Sequence, residues 1–149
     1  MCSSDLPTLT GWCLARDVAL KESLHLYPQL GQAQADRAAR EEDRRRLAAA
    51  LASQGLLPTG FIPEPQPAPA CPVEVRDGVL EYLAQSKAAL LEVRLEELFC
   101  LPDQQNLPGT IAEHPNWRRK MPLTLDEMRR HFTPARLAAR LNRYRRREE

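Results

Sequence analysis

The stretch that decides the fold is the apolar segment LLEVRLEELF at residues 90–99, followed by the loop DQQNLPGTIAEHPNWRRKM at residues 103–121. Residues 89–95 are mostly apolar and include the β-branched Val93, which predicts one buried strand. A single strand cannot form a sheet, because its backbone groups have no neighbouring strand to bond to. We therefore expect a chain that is cut from a larger α/β protein, or one that self-associates through the open strand.

The order of the elements favours the first of these alternatives. The strand is followed by a loop rich in Asn, Gln, Trp and Arg, and then by two helices, which is the order of one unit of a TIM barrel. The chain has 149 residues, and a complete barrel needs roughly 250. The predicted fold class is α/β: the C-terminal portion of a (β/α)8 TIM barrel, mostly helical, with one clear strand.

The chain divides into three parts by composition. Residues 10–57 read as a helical insertion, and residues 58–72, with six prolines in fifteen positions, as an extended linker. Residues 75–149 are assigned to the last barrel unit and the terminal helices. The whole of 1–149 is thus interpreted as one C-terminal fragment of a catalytic barrel.

Local signals place the helices. Residues 10–27 show helical periodicity that ends before Pro28, and residues 32–54 are rich in strong helix formers, with Gly55 at the expected C-cap. Residues 77–86 predict a short helix. Thr124 to Glu127 form a capping box, and Thr133 followed by Pro134 predicts the start of the last helix.

Charge and cysteine content restrict the classes of partner. The 21 basic and 20 acidic residues nearly cancel, and no apolar run is long enough to span a membrane, so we expect neither a nucleic acid nor a membrane partner. The four cysteines and three histidines have no metal-ligand spacing. We expect no metal, no disulfide framework and a cytoplasmic location. The C-terminus is rich in arginine: Arg136, Arg140, Arg143, Arg145, Arg146 and Arg147. The alternative function is therefore a small helical interaction module whose basic tail docks on an anionic partner.

Three stretches resemble the amylomaltases, or disproportionating enzymes, which are 4-alpha-glucanotransferases. Residues 5–12 (DLPTLTGW) are similar to that family's (Thr/Ser)-His-Asp-Leu-Pro-Thr segment. Residues 90–99 resemble its last barrel strand, and residues 103–121 resemble its Asn-x-Pro-Gly-Thr…His-Pro-Asn-Trp-Arg segment. Ser4 stands where the family has histidine, which would remove one hydrogen-bond partner of the substrate.

The resemblance implies a retaining transfer of α-1,4-glucan segments between maltooligosaccharides or glucans derived from starch or glycogen, with no cofactor. Such enzymes need a carboxylate nucleophile, a carboxylic acid and a third carboxylate. Asp5 matches the third carboxylate, and nothing in this chain corresponds to the other two, so the fragment is expected to be inactive alone. Met1–Leu6 also equals the translation of a common sequencing-adapter oligonucleotide. If these residues come from such an adapter, Asp5 matches the family motif by chance. The genomic DNA sequence across Met1–Leu6 distinguishes an adapter from native coding sequence.

The resemblance also implies sugar contacts from the loop. Asn106 and Asn116 offer paired donors and acceptors for hydroxyls, and Arg118 offers a charged donor. Trp117 is either a platform for a pyranose ring or an anchor of the loop in the core. Pro108 and Gly109 form a turn that belongs to the same substrate-binding segment.

Overall fold

The computed structural model describes residues 3–62 and 71–145, and within these ranges it is helical. A 3-10 turn at Ser3–Asp5 precedes seven α-helices: α1 Leu9–Cys13, α2 Arg16–Ser23, α3 Gln32–Ser53, α4 Val73–Ala84, α5 Leu95–Leu98, α6 Leu125–Arg130 and α7 Phe132–Arg145. These two ranges contain no strand. Most of the Pro-rich linker, residues 63–70, lies outside the described residues, as do Arg146 and Arg147.

The strand expected at residues 89–95 is wrong, and with it the α/β barrel assignment. This segment runs as irregular backbone to Arg94, and α5 begins at Leu95. A strand persists only beside another strand, and the described residues supply none. A side chain instead supplies hydrogen bonds to the backbone here: Arg145 donates from Nη1 to the Ala88 carbonyl at 2.6 Å and from Nη2 to the Ala89 carbonyl at 2.9 Å.

The local helix signals were more dependable than the strand signal. The long helix was predicted at 32–54 and is found at Gln32–Ser53, with Gly55 in the left-handed region at φ +67°. The capping box is confirmed: the Thr124 side chain accepts from the Glu127 amide, and the Glu127 side chain accepts from the Thr124 amide. The stretch after residue 10 is instead split into α1 and α2, because Ala15 between them takes φ +51°.

Two predicted helix starts are displaced. Helix α4 begins at Val73, four residues before the predicted Asp77, with Pro72 as its N-cap. Helix α7 begins at Phe132 rather than after Thr133, so the predicted N-cap is wrong by two positions. Pro72 and Pro134 are both compatible with these helix starts, because proline lacks only the backbone N–H donor, which residues of the first helical turn do not use.

Three small apolar clusters replace one continuous core. The first joins Cys13, Leu51, Leu56, Cys71 and Val75, and so brings residues from both sides of the 58–72 segment together. The second joins α4 to α7 through four buried side chains, Leu80, Ala84, Leu137 and Leu141, with Leu91 and Val93 packed against them. The third holds α2 against α3 through Ala15, Val18 and Ala33.

A buried ionic cluster also joins α4 to α7. Asp77 is 2% exposed and accepts from Arg76 Nη2 at 2.6 Å, Arg136 Nη2 at 3.0 Å and Arg140 Nη1 at 3.0 Å. Arg140 also pairs with Glu81. Three residues of the expected basic tail, Arg136, Arg140 and Arg145, are therefore bonded inside the molecule.

Candidate functional site

The DLPT segment is fixed to the region around α5 by Thr8. Its side chain caps α1 by accepting from the Gly11 amide at 2.9 Å, and its hydroxyl donates to the Leu101 carbonyl at 2.6 Å. The close approach requires glycine at position 11, since a Cβ there would lie 2.3 Å from the Pro102 carbonyl oxygen. The start of α1 is thus held against residues 101–102.

An ion pair provides a second attachment. Glu97 is buried and accepts from the Leu9 amide with both carboxylate oxygens at 3.1 Å. It also pairs with Arg94, which donates to the Leu6 carbonyl at 3.3 Å and the Pro7 carbonyl at 3.0 Å. Glu97 is therefore a structural residue that satisfies a helix N-terminus, where a carboxylate is favoured.

Two predicted site residues from distant parts of the chain meet directly. Asn106 Nδ2 donates to Asp5 Oδ1 at 2.7 Å across 101 positions of sequence. The amide of Asn106 thereby orients a carboxylate that lies in the 3-10 turn before α1. This contact brings the DLPT segment and the Asn/Trp loop to one location.

Asn116 holds the loop in shape. Its Oδ1 accepts from the Leu107 amide at 2.9 Å, and its Nδ2 donates to the carbonyl and the hydroxyl of Thr110, each at 3.0 Å. Pro108 and Gly109 form the exposed tip of this turn, with Gly109 at φ +86°. Arg118 is exposed. Of the predicted site residues, only Trp117 lines the cleft described next; the lining does not include Asp5, Asn106, Pro108, Gly109, Asn116 or Arg118.

Trp117 presents its ring to solvent at the edge of a cleft. Its residue exposure is 65%, and its φ of +60° is rare for a bulky residue. The Trp117 amide donates to the Gln105 carbonyl at 2.9 Å, which fixes the backbone on which the ring stands. Trp117 belongs to none of the three apolar clusters of the described residues.

The cleft beside Trp117 has a volume of about 290 Å³ and is otherwise lined by residues that carry polar groups: Ser4, Thr8, Glu92, Arg94, Glu96 and Gln105. Glu96 is oriented by Gln105, whose Nε2 donates to its Oε1 at 2.9 Å. Ser4 Oγ is buried without a hydrogen-bond partner among the residues that the structure describes. A concave site with one exposed aromatic face and several carboxylate and amide groups suits a polyhydroxylated ligand.

Sequence reasoning assigned no role to Glu92, Arg94 or Gln105. A signal was present in the alternation of residues 91–96, because extended backbone directs successive side chains to opposite sides. Leu91 and Val93 pack on the core, whereas Glu92 and Arg94 line the cleft. Within residues 3–62 and 71–145 we find no group of three or more histidine, cysteine or acidic side chains placed to hold a metal ion. No helix in the same ranges is long and apolar enough to cross a membrane.

Comparison with known proteins establishes the family of this chain. Residues 1–125 match the family model described as 4-alpha-glucanotransferase. This chain belongs to the 4-alpha-glucanotransferase family. The match covers the DLPT segment, the cleft and the Asn/Trp loop, and it ends where α6 begins. The family resemblance expected from the sequence is confirmed.

Named relatives agree with the family. A 4-alpha-glucanotransferase of Mycobacterium bovis and one of Mycobacterium tuberculosis are each 35% identical over 125 residues, which cover 80% of this chain and 15% of the relative. A 4-alpha-glucanotransferase of Haemophilus influenzae is 28% identical over 121 residues, covering 78% of this chain and 16% of the relative. The chain therefore spans about one-sixth of the length of these relatives.

Proposed function

We propose that this chain forms part of the glucan-binding cleft of a 4-alpha-glucanotransferase. In this proposal the whole enzyme transfers α-1,4-glucan segments between maltooligosaccharides, or glucans derived from starch or glycogen, by a retaining mechanism. The observation that carries the proposal is the exposed Trp117 beside a cleft of about 290 Å³ lined by Glu92, Glu96 and Gln105, in a chain that belongs to this family.

The cleft has the groups that a glucan needs. A pyranose ring has an apolar face of C–H groups, and an exposed indole offers a flat apolar surface on which that face can stack. Glucose hydroxyls are both donors and acceptors. The carboxylates of Glu92 and Glu96 accept, and the amide of Gln105 does both, so an oriented sugar can satisfy each of its hydroxyls.

The pair Asp5–Asn106 supports a role close to the reacting sugar. A carboxylate that receives a short amide hydrogen bond, here 2.7 Å, is held in one orientation before the substrate arrives. We assign Asp5 as the third carboxylate, which binds the distorted sugar ring, and Asn106 as the residue that positions it. Asn116, Pro108 and Gly109 then act indirectly, by shaping the loop that carries Trp117. Arg118 is proposed to meet substrate beyond the cleft.

The isolated chain is proposed to bind glucan without transferring it. A retaining transferase requires a nucleophile and an acid in addition to the third carboxylate. The chain spans only about 15% of its mycobacterial relatives, which leaves most of such an enzyme to supply those two groups. The proposal requires no cofactor. A cytoplasmic location is also proposed, supported by Cys13, Cys71 and Cys100, which are in the reduced state.

The two tryptophans give a direct test of glucan binding. Trp12→Phe leaves Trp117 as the sole tryptophan, and Trp117→Phe leaves the half-buried Trp12, which lies 4.9 Å from the Arg40 guanidinium carbon. We expect maltohexaose to protect the fluorescence of Trp117 from acrylamide quenching in the first variant. The second variant should show no change with the sugar.

The control ligand is cellohexaose, which has the same sugar and length but β-1,4 links. Protection by maltohexaose alone supports a site shaped for α-1,4-glucan. Equal protection by both sugars would show that the cleft binds sugars without preference for α-1,4 links, which contradicts a site specific for α-1,4-glucan. Protection by neither would contradict the proposal.

A further inference from the structure

Two cysteines far apart in sequence lie side by side in the first apolar cluster. Cys13 ends α1, and Cys71 immediately precedes Pro72, the N-cap of α4. Their sulfur atoms are 2.7 Å apart across 58 positions of sequence, and both residues are buried, at 2% and 7% exposure. A disulfide needs a sulfur–sulfur distance of about 2.05 Å, so a small displacement of the two side chains is sufficient to join them.

The two thiols are not equivalent. The Cys71 thiol donates to Cys13 Sγ, and this hydrogen bond is the main reason why the pKa of Cys13 is lowered. The positive charges of Arg44 and Arg40 lower it further, whereas burial and the charge of Glu97 raise it. The pKa of Cys71 is raised, first by its hydrogen bond to Cys13 and then by its burial. Cys13 is thus the better nucleophile and Cys71 the thiol that keeps its proton.

We propose that Cys13 and Cys71 form a redox-modification site, which closes to a disulfide when the chain meets a hydroperoxide. The inference rests on the placement of these two side chains and does not depend on glucan binding. It assigns a reversible covalent link between α1, whose N-cap Thr8 lines the cleft, and the start of α4.

The chemistry proceeds in two balanced steps. The Cys13 thiolate attacks the terminal oxygen of hydrogen peroxide; an S–O bond forms, the O–O bond breaks, and hydroxide leaves and takes up a proton to become water. The Cys71 sulfur then attacks the Cys13 sulfenic sulfur, and a second water leaves with the thiol proton. Two thiols lose two electrons in total, the peroxide gains them, and an added dithiol reverses the change.

Cys100 is the natural comparison within the same chain. It is less buried than Cys13, and its sulfur accepts from Arg76 Nη1 at 3.3 Å. A more accessible cysteine beside a cation would ordinarily react first. Preferential oxidation of the two more deeply buried cysteines would therefore come from their mutual contact and not from access.

The test uses the full chain with Cys2→Ser and Cys100→Ser, which leaves Cys13 and Cys71 as the only thiols. One equivalent of hydrogen peroxide at pH 7 should lower the intact mass by about 2 Da, the mass of two hydrogens. A tryptic digest should then contain the cross-linked peptides 1–16 and 47–76. The closed loop should raise Tm by about 5 °C or more, and a dithiol should restore the original mass and Tm.

Single replacements in the same background separate the two roles. With Cys71→Ser, dimedone should trap a sulfenic acid on Cys13; with Cys13→Ser, Cys71 should stay unmodified under the same peroxide. The chain with all four cysteines needs no substitution in the core and gives an independent readout. If peroxide there modifies Cys100 while the Cys13 and Cys71 peptides remain alkylatable thiols, the proposal is wrong. A linked peptide that also forms at the same rate in 8 M urea would equally overturn it, because the unfolded chain lacks the contact.

Discussion

Replacing Asp77 with asparagine should release α7 from α4. Asp77 is 2% exposed and accepts from three arginines, of which Arg76 is itself 3% exposed. Asparagine keeps the size of the side chain but removes its charge, so Arg76 is left as a buried cation without its counter-ion. Breaking a buried ion pair from one side destabilises by about 3–5 kcal/mol. Since whole domains are stable by only about 5–15 kcal/mol, the contact between α4 and α7 should open.

Hydrogen–deuterium exchange read by mass spectrometry measures this locally. A loss of 3 kcal/mol corresponds to an increase in exchange rate of roughly 150-fold, since each 1.4 kcal/mol is a factor of ten. We expect peptides from α7 to exchange close to the rate of an unprotected chain, and peptides from α3 to change much less.

Asp103 is the matched control. It also contacts two arginines, Arg16 at 3.1 Å and Arg119 at 2.9 Å, but its side chain is 31% exposed. Exposed pairs of this kind are worth about 1 kcal/mol or less, so Asp103→Asn should leave α7 protected. If Asp77→Asn also leaves α7 protected, the ionic cluster does not hold the two helices together, and the arginines of α7 would again be candidates for an external partner.

Three further outcomes are expected. The isolated chain should show no disproportionation of maltotriose, because it lacks the proposed nucleophile; glucose release above a buffer blank that is abolished by Asp5→Ala would refute this. In a full-length parent enzyme, Trp117→Ala should lower kcat/KM more than it lowers Tm; normal kinetics with a large drop in Tm would show that the ring is an anchor. The isolated chain should self-associate at low micromolar concentration in light scattering, because Leu90, Leu125 and Phe132 are between 67% and 81% exposed; a monodisperse monomer would contradict this.

Local chemistry explains which elements could be read from the sequence. The capping box at Thr124 and the C-cap at Gly55 depend on neighbouring residues only, and both are found where the sequence puts them. The family likewise follows from short motifs and is confirmed. The strand at 89–95 was wrong because apolar β-branched content shows only that a segment can be extended. Whether it becomes a strand depends on a partner elsewhere in the chain.

Contacts between residues far apart in the sequence could not be predicted from the sequence alone. Asp77 and Arg140 lie 63 positions apart, and neither carries a local signal that it bonds to the other. The arginines of α7 were therefore interpreted, in the alternative function, as a basic tail that docks on an anionic partner. The cleft shows the same limit: Trp117 was identified through a motif, whereas Glu92 and Gln105 join the cleft only because the loop lies against residues 92–96.

Nuclear magnetic resonance of the two indole N–H groups tests the central claim most directly. With the indole nitrogens labelled, Trp12 and Trp117 give one resonance each, assigned with Trp12→Phe. Titration with maltohexaose should move the Trp117 resonance along a saturable curve and leave Trp12 in place, since Trp117 lines the cleft and Trp12 lies within the first apolar cluster. A Trp117 resonance that does not respond to maltohexaose while the fold is intact would contradict the assignment of this cleft to glucan binding.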